Sequence, residues 1–326
     1  MDLSGIIIPV PTPFSNGNVD LGRFRGNLER WMAWEGSSVP GGPELLHLAG
    51  ALVAGSNGEA PLLKQSEIDA LTEEARRLVP SERLLLVGTG RESTEEAVEA
   101  AQRAAERGAD AVLVGAPIYF RQEIQPEALV AHFAAIAAAI PIPIIIYSVQ
   151  RFSGFEVPVP LVKRLASNPA VAGLKDSSTN TSRIVEIMAG DHPVEGDGFR
   201  VMAGNATVFY PALACGAAGG ILAVACVVPG LVCALLAAWA ANDQDAARRI
   251  QKRLTPLARA VTSEHGVAGL KCALDMIGLY GGPARKPLVG LGSKARAELE
   301  KILQHALWAE GEELGAGSRL VDLRKP

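Results

Sequence analysis

The chain has 326 residues, 48% hydrophobic and 20% charged, with a net charge of −4. That is enough chain to bury one large α/β barrel or two smaller domains. No long basic run and no basic stretch interleaved with aromatics occurs, so nucleic acid is not an expected partner.

The chain begins Met1-Asp2-Leu3-Ser4-Gly5-Ile6, without a basic leader, and its first apolar stretch is broken by Pro9, Pro11 and Pro13. This resembles neither a secretory signal nor a transit peptide, and a cytoplasmic location is expected. Short apolar, β-rich runs then alternate with helical patterns. The predicted strands are Ile6–Val10, Ala51–Ala54, Leu84–Gly88, Ala111–Gly115, Ile142–Tyr147, Val171–Leu174, Arg200–Ala203 and Gly220–Val224. Most lack alternation, as expected of parallel strands covered on both faces. Helix starts are marked by Ser66 before Glu67 and by Ser93 with Glu96 three residues on; Gly108 closes the helix after Ser93. The segment Ser37–Ala49, with Pro40-Gly41-Gly42-Pro43, reads as an insertion before the second strand.

Eight strand–helix units over about 230 residues predict a (β/α)8 TIM barrel. The competing doubly wound sheet usually shows a glycine-rich phosphate loop after its first strand. Here that strand runs into Pro11-Thr12-Pro13-Phe14, and the incomplete Gly88, Gly90, Ser93 pattern follows the wrong strand. Residues 1–228 are assigned to the barrel, 229–310 to a helical C-terminal appendage, and 311–326 to a loose tail. Tyr210 to Ala241 contains no charge and is long enough to span a bilayer. Gly216, Gly219, Gly220 and Pro229-Gly230 interrupt it, so a buried strand followed by a buried helix (Leu231–Ala241) is expected, and no membrane association.

Cys215, Cys226, Cys233 and Cys272 form no CxxC, and the five histidines show no paired spacing. Buried thiols are expected, with no metal site and no cofactor.

In a barrel, reactive groups gather at the C-terminal strand ends. Those ends hold Gly55-Ser56-Asn57-Gly58-Glu59, Pro117-Ile118-Tyr119, Tyr147-Ser148-Val149, Gly173-Leu174-Lys175-Asp176-Ser177 and Ala203-Gly204-Asn205. A lysine ending an apolar strand is partly desolvated, which disfavours the ammonium and frees a neutral amine for Schiff-base chemistry. Alone, Lys175 would read as a solvated charge; the surrounding set argues otherwise.

With these motifs in this order, and a 28-residue step from Tyr147 to Lys175, the chain resembles the dihydrodipicolinate synthase / N-acetylneuraminate lyase family of class I pyruvate-dependent aldolases. Within it, Ser56-Asn57-Gly58-Glu59, Tyr147-Ser148-Val149 and Gly281-Gly282-Pro283 are most similar to the 4-hydroxy-2-oxoglutarate aldolase subgroup. The resemblance implies that Lys175 forms an imine with a 2-oxo acid such as pyruvate. Tyr147, Ser56 and Tyr119 would relay protons, Tyr119 from a neighbouring subunit of a homotetramer built as a dimer of dimers. The Ser56 and Asn57 amides can form an anion nest for the substrate carboxylate. Asn57 and Ser177 would bind the distal part, with Ser177 alternatively a helix N-cap. Gly204 would let the backbone approach the ligand, or simply turn the chain.

Two departures bear on substrate. Phe152 stands where the synthases carry a carboxylate-binding arginine, with Arg151 one residue early, and Gln150 replaces the subgroup's proline. Phe120 replaces a tyrosine often found in the subgroup. Arg285-Lys286 reads as a solvated loop rather than an anion site. The leading expectation is cleavage of 4-hydroxy-2-oxoglutarate to pyruvate and glyoxylate. Alternatives are condensation of pyruvate with aspartate semialdehyde, cleavage of a 2-keto-3-deoxy sugar acid, and a non-catalytic 2-oxo acid binding barrel.

Overall fold

The computed structural model describes residues 1–37, 45–189 and 198–314. Eight parallel strands close on themselves: β1 (Gly5–Pro9), β2 (Gly50–Val53), β3 (Leu84–Gly88), β4 (Ala111–Gly115), β5 (Ile144–Ser148), β6 (Val171–Asp176), β7 (Arg200–Ala203) and β8 (Gly219–Ile221). The expected (β/α)8 barrel is therefore the observed fold. Strand side chains alternate between two faces. One face fills the barrel with Ile7, Leu52, Leu86, Leu113, Ile145, Met202 and Ile221. The other, with Ile6, Ile8, Val53, Val87 and Val112, packs under the helices. Both faces are thus dry, which is why these runs are apolar without alternation.

Strands β1, β2, β5, β6 and β8 differ from expectation at their ends, and the larger differences, at β5, β8 and β6, have physical reasons. Pro143 has no N–H for a ladder, so β5 begins at Ile144. Pro9 likewise ends the β1–β8 ladder after the Ile7–Ile221 pair, and Ala223–Cys226 form a 3-10 turn instead of more strand. In contrast, β6 continues past its apolar run through Lys175 and Asp176, which pair with Tyr147 and Ser148 of β5.

The intervening helices are α1 (Leu21–Met32), α2 (Gln65–Leu78), α3 (Thr94–Glu106), α4 (Pro126–Ala139), α5 (Val159–Ala166), α6 (Ser182–Met188) and α7 (Phe209–Ala214). The Ser93 hydroxyl caps α3 by accepting from Glu96 N at 3.1 Å. The start of α2 lies before Ser66: the Lys64 N–H donates to the Glu67 carboxylate at 2.8 Å, and the helix opens at Gln65. In the insertion, Glu35–Ser37 pairs antiparallel with Leu45–His47. Its Pro40-Gly41-Gly42-Pro43 lies outside the described residues.

The uncharged Tyr210–Ala241 stretch resolves into the end of α7, strand β8, the 3-10 turn and α8 (Pro229–Ala240). No described helix is long and apolar enough to cross a membrane. Beyond α8 come α9 (Gln244–Arg259), α10 (Gly266–Met276) and α11 (Ser293–Leu314), with α9 packed on both α8 and α11. The last helix runs three residues past Gly311, where the tail was expected to begin; 315–326 lie outside the described residues.

Candidate active site

The register of two neighbouring strands builds the centre of the site. Ile145 of β5 pairs with Gly173 of β6, after an irregularity between Val171 and Gly173 that re-aims the strand. Ile145 belongs to the filled interior. Two residues further along the same face, Tyr147 pairs with Lys175. Both side chains therefore stand above the apolar interior, at the mouth.

Lys175 is 4% exposed, and its Nζ lies 4.4 Å from the centroid of the Tyr147 ring. Burial holds its amine below the ordinary lysine range; interaction with Tyr147 and with Cys226 opposes that shift. The Tyr147 hydroxyl in turn meets Ser56 Oγ at 3.1 Å. Lys175, Tyr147 and Ser56 thus form one contiguous chain of an amine and two hydroxyls.

Ser56 is delivered by a tight turn after β2. Ala54 and Glu59, at φ 52 and 59, are non-glycine residues in the left-handed region on either side of it. The turn closes through Glu59 N to Ser56 O (3.1 Å) and Ala60 N to Gly55 O (3.2 Å), and the buried Thr12 hydroxyl donates to Gly58 O at 2.6 Å. Above the turn a cavity of about 460 Å³ opens, lined by Ser56, Tyr147, Arg91, Ile118, Phe152 and Phe155 among others. Tyr147 lines that cavity, whereas Lys175, packed on its ring, does not.

Other expected site residues lie apart from this core. Tyr119 is 78% exposed on the loop after β4, stacked edge-on against Phe120. That loop is pinned by Glu92, whose carboxylate accepts from the N–H groups of Ile118 (3.0 Å) and Tyr119 (2.9 Å). Within one chain Tyr119 does not join the Tyr147–Ser56 pair. Asn57 is half-buried in the turn. Ser177 does not cap a helix, since α6 opens only at Ser182; its N–H extends the ladder to Ser148 O at 2.9 Å. Gly204 serves close approach, but to the neighbouring loop: a Cβ there would lie 3.0 Å from the Asp176 carbonyl oxygen and 3.1 Å from Ser177 Cα. Phe152 is 54% exposed on the cavity wall, with the Arg151 guanidinium over its ring.

A charged cluster beside the site was missed by sequence reasoning. Glu59 and Lys271 form an ion pair at 2.6 Å, both buried. Arg285 is not a solvated loop residue: its guanidinium takes both Glu67 carboxylate oxygens at 2.7 Å and the carbonyls of Leu62 and Gly17 at 2.9 Å. The available signal was Lys271 itself, a lone cation between Leu270 and Cys272 on an apolar helix. A second pair, Arg183 Nε to Asp176 Oδ2 at 2.7 Å, is buried directly after Lys175 and fixes the exit of β6. Among the described residues, no group of three or more metal-ligating side chains occurs.

A closed parallel barrel carrying a desolvated lysine at its mouth, with hydroxyls beside it, defines a barrel enzyme of amine-nucleophile type. Residues 45–306 match the model of the dihydrodipicolinate synthetase family, and the chain belongs to that family. It is accordingly an enzyme, a class I pyruvate-dependent aldolase. Similar proteins include the 4-hydroxy-tetrahydrodipicolinate synthases of Exiguobacterium sibiricum (34% identical, covering 90% of this chain and 94% of that one) and Geobacter metallireducens (31%, covering 92% and 97%). Among solved structures, the 4-hydroxy-tetrahydrodipicolinate synthase of Methylacidiphilum fumariolicum SolV superposes with a TM-score of 0.85 at 26% identity over 96% of this chain and 99% of that one. The dihydrodipicolinate synthase of Aquifex aeolicus gives 0.83 at 29% identity over 93% and 97%.

Proposed function

We propose that Lys175 is the Schiff-base nucleophile of a reversible aldol reaction at C3 of pyruvate. The observation that carries this is the burial of Lys175 against Tyr147, with Ser56 within hydrogen-bond reach of the tyrosine hydroxyl. The neutral amine attacks the C2 carbonyl, the carbinolamine loses water, and a protonated imine results. In cleavage, the C3–C4 bond breaks as a proton leaves the C4 hydroxyl; the electron pair passes into the imine as an enamine and an aldehyde departs. Protonation at C3 and hydrolysis then release pyruvate. Tyr147 and Ser56 would carry these protons, a role supported by the 3.1 Å contact between their hydroxyls. The Ser56 and Asn57 amides would hold the C1 carboxylate, with the Asn57 and Ser177 side chains at the distal part and Gly204 where the backbone could approach the ligand. Tyr119 would complete the relay from a second subunit of a homotetramer, and its exposure on a pinned loop supports this. Four free cysteines support a cytoplasmic location.

Two acceptor aldehydes have support. The similar synthases favour condensation of pyruvate with aspartate semialdehyde, and this has the broader backing. One observation favours cleavage of 4-hydroxy-2-oxoglutarate: Phe152 faces the cavity at the position where, by family resemblance, the synthases hold a substrate carboxylate with arginine. The test is borohydride trapping followed by peptide mass spectrometry, with pyruvate and with 4-hydroxy-2-oxoglutarate, and product analysis with each aldehyde. A reduced pyruvyl adduct on Lys175 is expected from pyruvate. The same adduct from 4-hydroxy-2-oxoglutarate would show cleavage, whereas cyclic product from aspartate semialdehyde would assign the synthase reaction. A folded protein without any adduct on Lys175 would leave only a 2-oxo acid binding barrel.

A further inference from the structure

Outside the lysine–tyrosine–serine chain, the deepest charged cluster lies where α10 meets the turn after β2. Lys271 is 1% exposed. Its Nζ lies 2.6 Å from Glu59 Oε1, donates to the Pro283 carbonyl at 2.9 Å, and sits 4.4 Å from the centroid of the Phe14 ring. The second Glu59 oxygen accepts from the Arg285 N–H at 2.7 Å. The Arg285 guanidinium covers the same Phe14 ring at 4.3 Å while clasping Glu67 near the start of α2.

A buried ion pair is weak evidence for stability, because two charges have lost their hydration. Its location is more informative. Glu59 ends the turn that carries Ser56 and Asn57, and both Ala54 and Glu59 are held in left-handed conformations. Such residues cost free energy and persist only where their surroundings over-determine them. Thr12 holds the turn at Gly58 O, from the barrel side. Lys271 and Arg285 hold it at both Glu59 oxygens, from the helical region.

We propose that Lys271 and Arg285 are positioning residues of the active site, acting through Glu59 to set the turn that presents Ser56 Oγ to Tyr147 and the Ser56–Asn57 amides to the carboxylate of the bound 2-oxo acid. This rests on the Schiff-base reading of the site. The catalytic mouth is then built jointly by the barrel and the helical region, although neither Lys271 nor Arg285 touches the substrate.

The test uses the full chain, with pyruvate and borohydride as probe. Lys271→Met alone strands a buried carboxylate, so the informative variant is the double Glu59→Gln/Lys271→Met, which removes both charges. It should melt cooperatively, yet need about 10-fold or more pyruvate for half-maximal trapping on Lys175, as expected when a substrate-orienting loop is displaced. The pH dependence of trapping should stay that of the parent, because the surroundings of Lys175 are untouched. Trapping at parental pyruvate concentrations would make the pair merely structural and overturn the proposal, as would loss of the cooperative melt. If the parent itself traps no pyruvate, the Schiff-base reading fails separately. Calorimetric pyruvate affinity then decides: the proposal requires the same loss in the double variant.

Discussion

Among the described residues two lysines are buried, and each places its ammonium nitrogen 4.4 Å from the centroid of an aromatic ring: Lys175 over Tyr147, Lys271 over Phe14. Burial pulls both below the ordinary amine range. Their partners differ. Lys271 has a carboxylate at 2.6 Å and a backbone carbonyl at 2.9 Å. Those contacts favour its charged form and oppose the effect of burial. Lys175 has only a phenol and a thiol to oppose its burial. Burial alone therefore does not make a nucleophile. The barrel mouth withholds the compensating carboxylate, and the junction with the helical region supplies one.

The comparison is broken most severely at Lys175. Lys175→Ala should reduce turnover by at least about 10⁴-fold, the order seen when a covalent nucleophile is removed. Because the change also removes a desolvated amine, the melting temperature should hold or rise. Residual turnover above that level, with the adduct mapped to another lysine, would refute the assignment. Lys271→Met should instead act first on stability. It leaves Glu59 charged in a dry site and costs about 3–5 kcal/mol of stability, measured by denaturant unfolding. A small loss would show that water reaches Glu59.

Tyr147→Phe sharpens the contrast. It should slow turnover by about 10²–10³-fold, the range of a lost general acid–base. Imine formation requires the neutral amine, so its rate rises with pH through the lysine's inflection, which burial places below 10.5. Tyr147 opposes that lowering, and its removal should move the inflection to still lower pH in borohydride trapping rates. An upward move would mean that the hydroxyl stabilises the neutral amine. Phe152→Arg acts on the acceptor side. It should improve use of aspartate semialdehyde relative to glyoxylate by about 10-fold, through one charge-assisted contact to a carboxylate. Competition assays with both aldehydes measure the ratio, and an unchanged ratio would remove Phe152 as a determinant.

The lysine and tyrosine proposed to be catalytic were legible because a barrel converts sequence register into shared facing. Ile145 to Tyr147 and Gly173 to Lys175 are each one step along a period of two. Strands β3, β4 and β7 were legible to the residue because apolar runs end where polar loops begin. Strand β6 runs beyond its apolar run because the polar Lys175 and Asp176 lie inside the ladder. The Glu59–Lys271–Arg285 cluster was not legible: its members come from the loop after β2, an apolar helix and a late loop, and only tertiary packing brings them together. Hydropathy could flag Lys271 as out of place but could not name its partner.

His132 extends the same lesson to a third buried base. It lies on α4 with its Nδ1 2.9 Å from Thr94 Oγ1 and the Phe133 ring edge-on beside it. No carboxylate is paired with it among the described residues, and burial alone lowers its pKa from 6.5. Between that lowered value and 6.5 the unfolded chain binds a proton that the folded chain refuses, so stability rises with pH across this window. The contribution is complete above about 6.5 and is lost as the pH falls through the lowered value. Melting temperatures measured downward from neutral pH should therefore decline, and His132→Gln should flatten that decline. This is the smallest of the five effects, since one uncharged, hydroxyl-partnered ring is at stake. A decline identical in both proteins would assign the acid sensitivity to the ion-paired carboxylates instead. Glu67, Asp69 and Glu74 are held below their ordinary ranges and lose their stabilisation only at lower pH.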